Sequence, residues 1–87
     1  MPRESMTTEA GRKAYDILNS TASRPTQSEC NDMYSKMKQL YYTTTDRPGK
    51  REVVRMMATF VGLAQDIGCC DFTWKLEVNA FANELGM

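Results

Sequence analysis

The chain has no histidine, and its 87 residues include only three cysteines, three prolines and five glycines. Without histidine, the side chain that most often acts as a general acid or base near neutral pH is missing. Three cysteines make an odd set, which excludes a fully paired disulfide framework. A zinc site normally takes four ligands, and the spacing of these cysteines matches no known zinc motif. We therefore expect neither an enzyme nor a metal site, and no cofactor.

Long apolar runs are also missing. The longest mostly apolar stretch, residues 56–64, has nine residues, whereas a membrane-spanning helix needs about 20. The first six residues contain charge, and no apolar stretch follows them as it would in a secretory signal. These features predict a cytoplasmic protein with no membrane partner.

The overall composition is that of a small globular protein, with 41% hydrophobic and 25% charged residues. Because 87 residues is the length of one small domain, we predict that residues 1–87 form a single helical domain. A chain of this length buries only about 60–65% of its unfolded surface on folding, so its core is modest and a partner can complete it.

Two segments in the first half have helical spacing. Ala10, Ala14 and Ile17 recur at intervals of four and three, which predicts a first helix at about 8–20. Gly11 weakens this helix unless close packing requires a bare backbone there. The Thr26 to Glu29 run fits a capping box and opens a second helix, about 26–42. Its apolar positions are Cys30, Met33, Tyr34, Met37, Leu40 and Tyr41.

A third helix follows a turn predicted at 46–49 and runs over about 50–67. It has a broad apolar face, and Gly68 stands where a helix C-cap residue belongs. The methionines on the facing sides of the second and third helices are interpreted as core residues, although methionine also forms adaptable binding surfaces. They are Met33, Met37, Met56 and Met57.

The last segment is ambiguous, because apolar residues alternate with polar ones over 72–78, as in a strand, while helical spacing also fits. We predict a helix over about 72–85, since a lone strand would have no partner in this chain. Asp71 supplies an N-cap and Gly86 a stop. A strand remains possible only if a second copy pairs with it. The predicted fold is all-α, a small antiparallel bundle of about four helices.

Charge is unevenly distributed although the net charge is zero. Residues 36–55 carry a net charge of +4, whereas residues 56–87 carry −3. Aromatic, hydroxyl and cationic side chains meet in the basic stretch, which we call the 41–55 corner. Such a combination can hold a phosphate, with Tyr42 for stacking, while Tyr41 is expected in the core. The candidate anion-binding residues are Tyr42, Thr43, Thr44, Thr45, Arg47, Lys50, Arg51 and Arg55.

The last helix is rich in aromatic area, and part of that area is expected to contact a second subunit. The candidate interface residues are Phe72, Trp74, Phe81 and Leu85. Eight aromatic residues in so short a chain favour self-association as a homo-oligomer.

Three functional hypotheses follow from these patterns. The first is a non-enzymatic binding protein that acts through protein–protein contacts, as accessory and inhibitor proteins of phages and mobile elements do. The second is an anion binder for nucleic acid or a small, for example cyclic, nucleotide at the 41–55 corner. The third, with least support, is a thiol-based redox or metal function at Cys69 and Cys70, which precede the start of the last helix.

Overall fold

The chain folds into four α-helices in a computed structural model that describes residues 6–20 and 24–87. The helices are α1 (Glu9–Leu18), α2 (Gln27–Thr43), α3 (Arg47–Asp66) and α4 (Phe72–Glu84). The predicted all-α class is confirmed, and residues 72–78 are helical rather than extended. Residues 1–5, on which the expectation about the N-terminus rests, lie outside the described residues.

The helix ends follow local side-chain chemistry. The capping box is present, because the Thr26 hydroxyl accepts the Glu29 amide and the Glu29 carboxylate accepts the Thr26 amide. Asp71 caps α4 by accepting the Thr73 amide at 2.9 Å. Gly68 has φ of 78°, a left-handed conformation that a side chain would strain, and it ends α3 as predicted.

The start of α3 differs from the sequence prediction. Residues 46–49 were expected to form a turn before a helix starting near residue 50, but α3 already begins at Arg47. Asp46 acts as its N-cap and accepts the Gly49 amide at 2.8 Å. Pro48 lies in the first turn, where a proline loses no hydrogen bond. The residues that were interpreted as a turn are therefore a helix start.

Helix α3 packs against the other three helices. Thr8 contacts Glu52 at one end of the molecule, and Leu18 and Leu63 line one pocket at the other end, so α1 and α3 run in the same direction. Tyr34 stacks on Trp74, and further along both helices Tyr41 stacks on Phe81. Helices α2 and α4 therefore also run in the same direction. Cys30, at the start of α2, lines the same pocket as Leu18 and Leu63, near the ends of α1 and α3, so helices that are adjacent in the chain are antiparallel.

The core lies between these helices, and the internal methionines are part of it. Met37, Met56 and Met57 are almost completely buried, and Met33 is nearly so, which confirms their interpretation as core residues. Tyr41 is buried as well. Methionine suits a core because its flexible side chain fills irregular gaps.

Candidate functional site

Two of the four cations of the 41–55 corner, Arg47 and Lys50, bind backbone carbonyls of other helices. Arg47 donates from its guanidinium to the Leu85 carbonyl at 3.1 Å, close to the end of α4. Lys50 donates to the Tyr41 carbonyl at 3.2 Å, and its ammonium lies 4.2 Å from the centre of the Tyr41 ring. Two of the four predicted cations thus bind the ends of neighbouring helices.

The three threonines of the corner do not face these cations. Thr43 and Thr44 both donate their hydroxyls to the Leu40 carbonyl, at 3.2 and 2.7 Å. Together with the exposed Thr45 they line a cavity of about 240 Å³. Two carboxylates, those of Glu9 and Asp46, and one ammonium group, that of Lys13, line the same cavity. The charged side chains of this lining sum to −1, which disfavours an anion there.

The N-terminus of α3 already holds a negative charge, because the Asp46 carboxylate accepts the Gly49 amide.

Three of the predicted anion-binding residues keep their side chains available. Tyr42 is 61% exposed and meets Phe81 edge-on. Arg51 is half-buried and Arg55 is exposed, and neither forms an ion pair with any residue in 6–20 or 24–87.

Three of the four predicted interface residues are buried within the chain itself. Trp74, Phe81 and Leu85 belong to the core. The ring centres of Tyr34 and Trp74 are 4.7 Å apart, and those of Tyr41 and Phe81 are 4.2 Å apart. These aromatic residues therefore attach α4 to α2, and only Phe72 of the predicted four remains exposed.

An unexpected apolar surface lies on the opposite side of α4. Phe72 is 74% exposed and Leu76 is 54% exposed, and Ala80 is exposed one turn further on. Residues spaced by four share one face of a helix. We call this surface, with the uncharged residues beside it, the α4 stripe: Phe72, Leu76, Asn79, Ala80 and Asn83.

Sequence reasoning did not find Leu76 and Ala80, although a signal for this surface was present. Apolar residues alternate over 72–78, and in a helix such alternation places them on two opposite sides. The alternation that resembles a strand pattern therefore indicates a helix with two apolar faces. One face fills the core, and the other carries the α4 stripe.

A second feature missed in the sequence is the carboxylate of Glu52, which is only 7% exposed. It accepts the amides of Thr7 and Thr8, both at 2.9 Å, and their hydroxyls at 2.8 and 2.6 Å. Burial alone would raise the pKa of Glu52, but the hydrogen bonds from Thr8 and Thr7 outweigh it and lower the pKa from 4.5 to about 2. Such a carboxylate stays ionised and fully paired, so its role is to anchor the start of α1.

The three cysteines lie at the opposite end of the molecule from the 41–55 corner, and none is in a disulfide. Cys30 is buried, while Cys69 and Cys70 are half-buried. No group of three or more cysteine, aspartate or glutamate residues in the described part of the chain is arranged to hold a metal ion.

Among residues 6–20 and 24–87, no helix combines the length and the apolar character needed to cross a membrane. Described surfaces that are open to a partner include the α4 stripe, the half-buried Arg51 with the exposed Arg55, and the exposed Tyr42, Leu63 and Ile67. No protein-family model matches this chain, and neither a curated protein nor a solved structure is significantly similar to it.

Proposed function

We propose that this chain is a small, non-enzymatic binding protein that acts through protein–protein contacts, and that the α4 stripe is its binding surface. The observation that supports this is that α4 is apolar on two sides. Its inner side packs in the core, and its outer side exposes Phe72 and Leu76 to solvent. The solvent-facing side of a surface helix normally carries charged or polar residues, so exposed Phe72 and Leu76 one turn apart point to a partner.

The first partner that we propose for the stripe is a second copy of the chain. The stripe has no charged residue, so two copies can meet there without burying like charges. Its ends, Phe72 and Asn83, are about 17 Å apart along the helix axis, at 1.5 Å per residue. A symmetric pair uses the same surface on both copies, which is the commonest form of homodimer.

The expected affinity is modest. Full burial of an exposed phenylalanine or leucine contributes about 1.5–3 kcal/mol. Phe72 and Leu76 from two copies therefore contribute at most about 6–12 kcal/mol, from which the loss of rotational and translational freedom must be subtracted. This corresponds to association in the micromolar range or weaker.

Sedimentation of the purified protein from micromolar to about millimolar concentrations tests this proposal, because the expected affinity is micromolar or weaker. The expected mass is above the 9.9 kDa of one chain. Leu76→Glu places a charge in the centre of the stripe and should give a monomer, whereas Ser35→Glu adds the same charge at an exposed position on α2 and should associate like the parent. A monomeric parent chain contradicts self-association. Equal association of Leu76→Glu and the parent contradicts the assignment of the surface.

We also propose that the protein acts in the cytoplasm. The unpaired thiols support a reducing compartment such as the cytoplasm. A chain that works only by contact suits an accessory or inhibitor protein, whose effect is measured on its partner.

The alternative function is binding of a nucleic acid or nucleotide. Its support is that the guanidinium groups of Arg51 and Arg55 form no ion pair within residues 6–20 and 24–87, whereas Arg47 and Lys50 bind backbone carbonyls. Fluorescence anisotropy with a mixed-sequence oligonucleotide at several salt concentrations tests it, because phosphate contacts make affinity fall steeply with salt. Salt-dependent binding that is lost in the Arg51→Ala, Arg55→Ala double variant would favour this alternative.

A further inference from the structure

Two cysteines that are far apart in sequence meet where α2 begins. Cys30 lies in the second turn of α2, completely shielded from solvent. The half-buried Cys69 packs against the same core cluster from the loop between α3 and α4. Burial raises the pKa of the Cys30 thiol, and a side-chain hydrogen bond with Cys69 raises it further.

The backbone holds Cys69 beside α2. The Gln27 side-chain amide donates to the Cys69 carbonyl at 3.1 Å, and Gln27 lies one turn before Cys30. The Cys69 amide donates in turn to the Ala64 carbonyl at 2.8 Å, which closes the end of α3. The loop is therefore attached on both sides of the thiol.

Cys70 has different surroundings. Its thiol donates to the Asp71 carbonyl at 3.4 Å. A bridge between Cys69 and Cys70 is disfavoured, since adjacent Cα atoms are about 3.8 Å apart and disulfides usually span about 4.4–6.8 Å.

We propose that Cys30 and Cys69 form a reversible intramolecular disulfide by exchange with a low-molecular-weight disulfide such as oxidised glutathione. Cys69, the more exposed of the two, attacks one sulfur of the small disulfide, and the S–S bond breaks to release one thiol. Cys30 then attacks the Cys69 sulfur of the mixed disulfide and releases the second thiol. The protons of the two protein thiols go to the two released thiols, so the protein is oxidised by two electrons and the small disulfide is reduced.

This bridge would fix the start of α2 to the loop that connects α3 and α4. It would close a chain segment from residue 30 to residue 69, and long closed segments restrict the unfolded state most. We expect the oxidised protein to have a higher Tm by several degrees, and reduction to reverse the change. The inference does not depend on the proposed binding function.

The test is to incubate the folded protein with oxidised glutathione, and to count free thiols and map tryptic peptides without reduction. The expected result is a fall from three free thiols to one, with the peptide containing Cys30 joined to the peptide containing Cys69 and Cys70. Cys70→Ser should still form the bridge, and Cys69→Ser should not. In urea the preference for Cys69 over Cys70 should disappear, because it comes from the fold.

Several results would overturn the proposal. One is that the parent protein gains only glutathione adducts or intermolecular disulfides. Another is that the Cys69→Ser variant joins Cys30 to Cys70 as readily as the parent joins Cys30 to Cys69. A third is a bridge between Cys69 and Cys70. Far-UV circular dichroism of each reduced variant checks that it is folded. Should Cys69→Ser not fold, Cys69→Ala takes its place, and tandem mass spectrometry that breaks the joined peptides of the parent between Cys69 and Cys70 identifies the pairing without any variant.

Discussion

Removing the charge of Glu52 should destabilise the protein near neutral pH but not in strong acid. The folded state lowers the pKa of Glu52 from 4.5 to about 2. The carboxylate therefore stabilises the fold at pH values above 4.5, and this stabilisation is lost as the pH falls through about 2. At 1.36 kcal/mol per pKa unit, the difference amounts to about 3 kcal/mol at neutral pH.

Glu52→Gln keeps the shape of the side chain but removes its charge, and it replaces one accepting oxygen with an NH2 group that only donates. The variant should be less stable than the parent by at least about 3 kcal/mol near pH 7, and this deficit should shrink by about 3 kcal/mol towards pH 2, where the parent carboxyl is half protonated. Urea unfolding followed by far-UV circular dichroism at several pH values measures this difference. Comparing the two proteins at each pH cancels the contributions of the other carboxylates.

Glu29→Gln is the matched control. Glu29 also caps a helix, by accepting the Thr26 amide at 2.9 Å, but its residue is exposed. We expect a smaller loss that depends less on pH. A difference between Glu52→Gln and the parent that stays constant from neutral pH to strong acid would refute the assignment of the charge as the anchor of α1.

Three further predictions follow from the packing. Gly11→Ala would place a Cβ 2.1 Å from Glu52 Oε1 and should lower the free energy of unfolding by about 1–3 kcal/mol. In urea unfolding the control Gly62→Ala in α3, whose Cβ meets nothing within 4 Å, should raise it by up to about 1 kcal/mol. Burial, followed by the hydrogen bond to Glu77, raises the pKa of Tyr34, so unfolding midpoints should fall as the pH rises above 10, and less so in Tyr34→Phe. Lys50→Met should lower stability by about 1–2 kcal/mol through loss of the hydrogen bond to Tyr41, and Lys36→Met, which breaks an exposed ion pair with Asp32, should cost at most about 1 kcal/mol.

The number and approximate limits of the helices could be predicted because their signals are local. Capping residues such as Thr26 and Asp71, the left-handed Gly68, and apolar spacing of three and four each act within one or two turns. The start of α3 was misplaced because Asp46 and Pro48 fit both a turn and a helix N-terminus. The capping hydrogen bond to Gly49 distinguishes the two in the structure.

Long-range pairings could not be predicted from the sequence. Glu52 binds Thr8, the N-cap of α1, which lies 44 positions earlier, and the Gln27 side chain binds the Cys69 carbonyl 42 positions away. Gly11 gave a partial signal, because a glycine inside a helix is unfavourable unless something lies against it. The partner proved to be Glu52, and nothing in the local sequence identified it.

The net positive charge of residues 36–55 is explained by which helix ends lie beside the start of α3. The C-terminal ends of α2 and α4 lie at the same end of the molecule as the start of α3, and neither helix has a basic residue in its own last turn. Helix C-termini carry partial negative charge and unpaired carbonyls. Arg47 and Lys50 supply the missing cations from α3, by binding the carbonyls of Leu85 and Tyr41. Replacing Arg47 or Lys50 would therefore weaken the fold as well as any anion site, whereas Arg51 and Arg55 can be replaced to test anion binding alone.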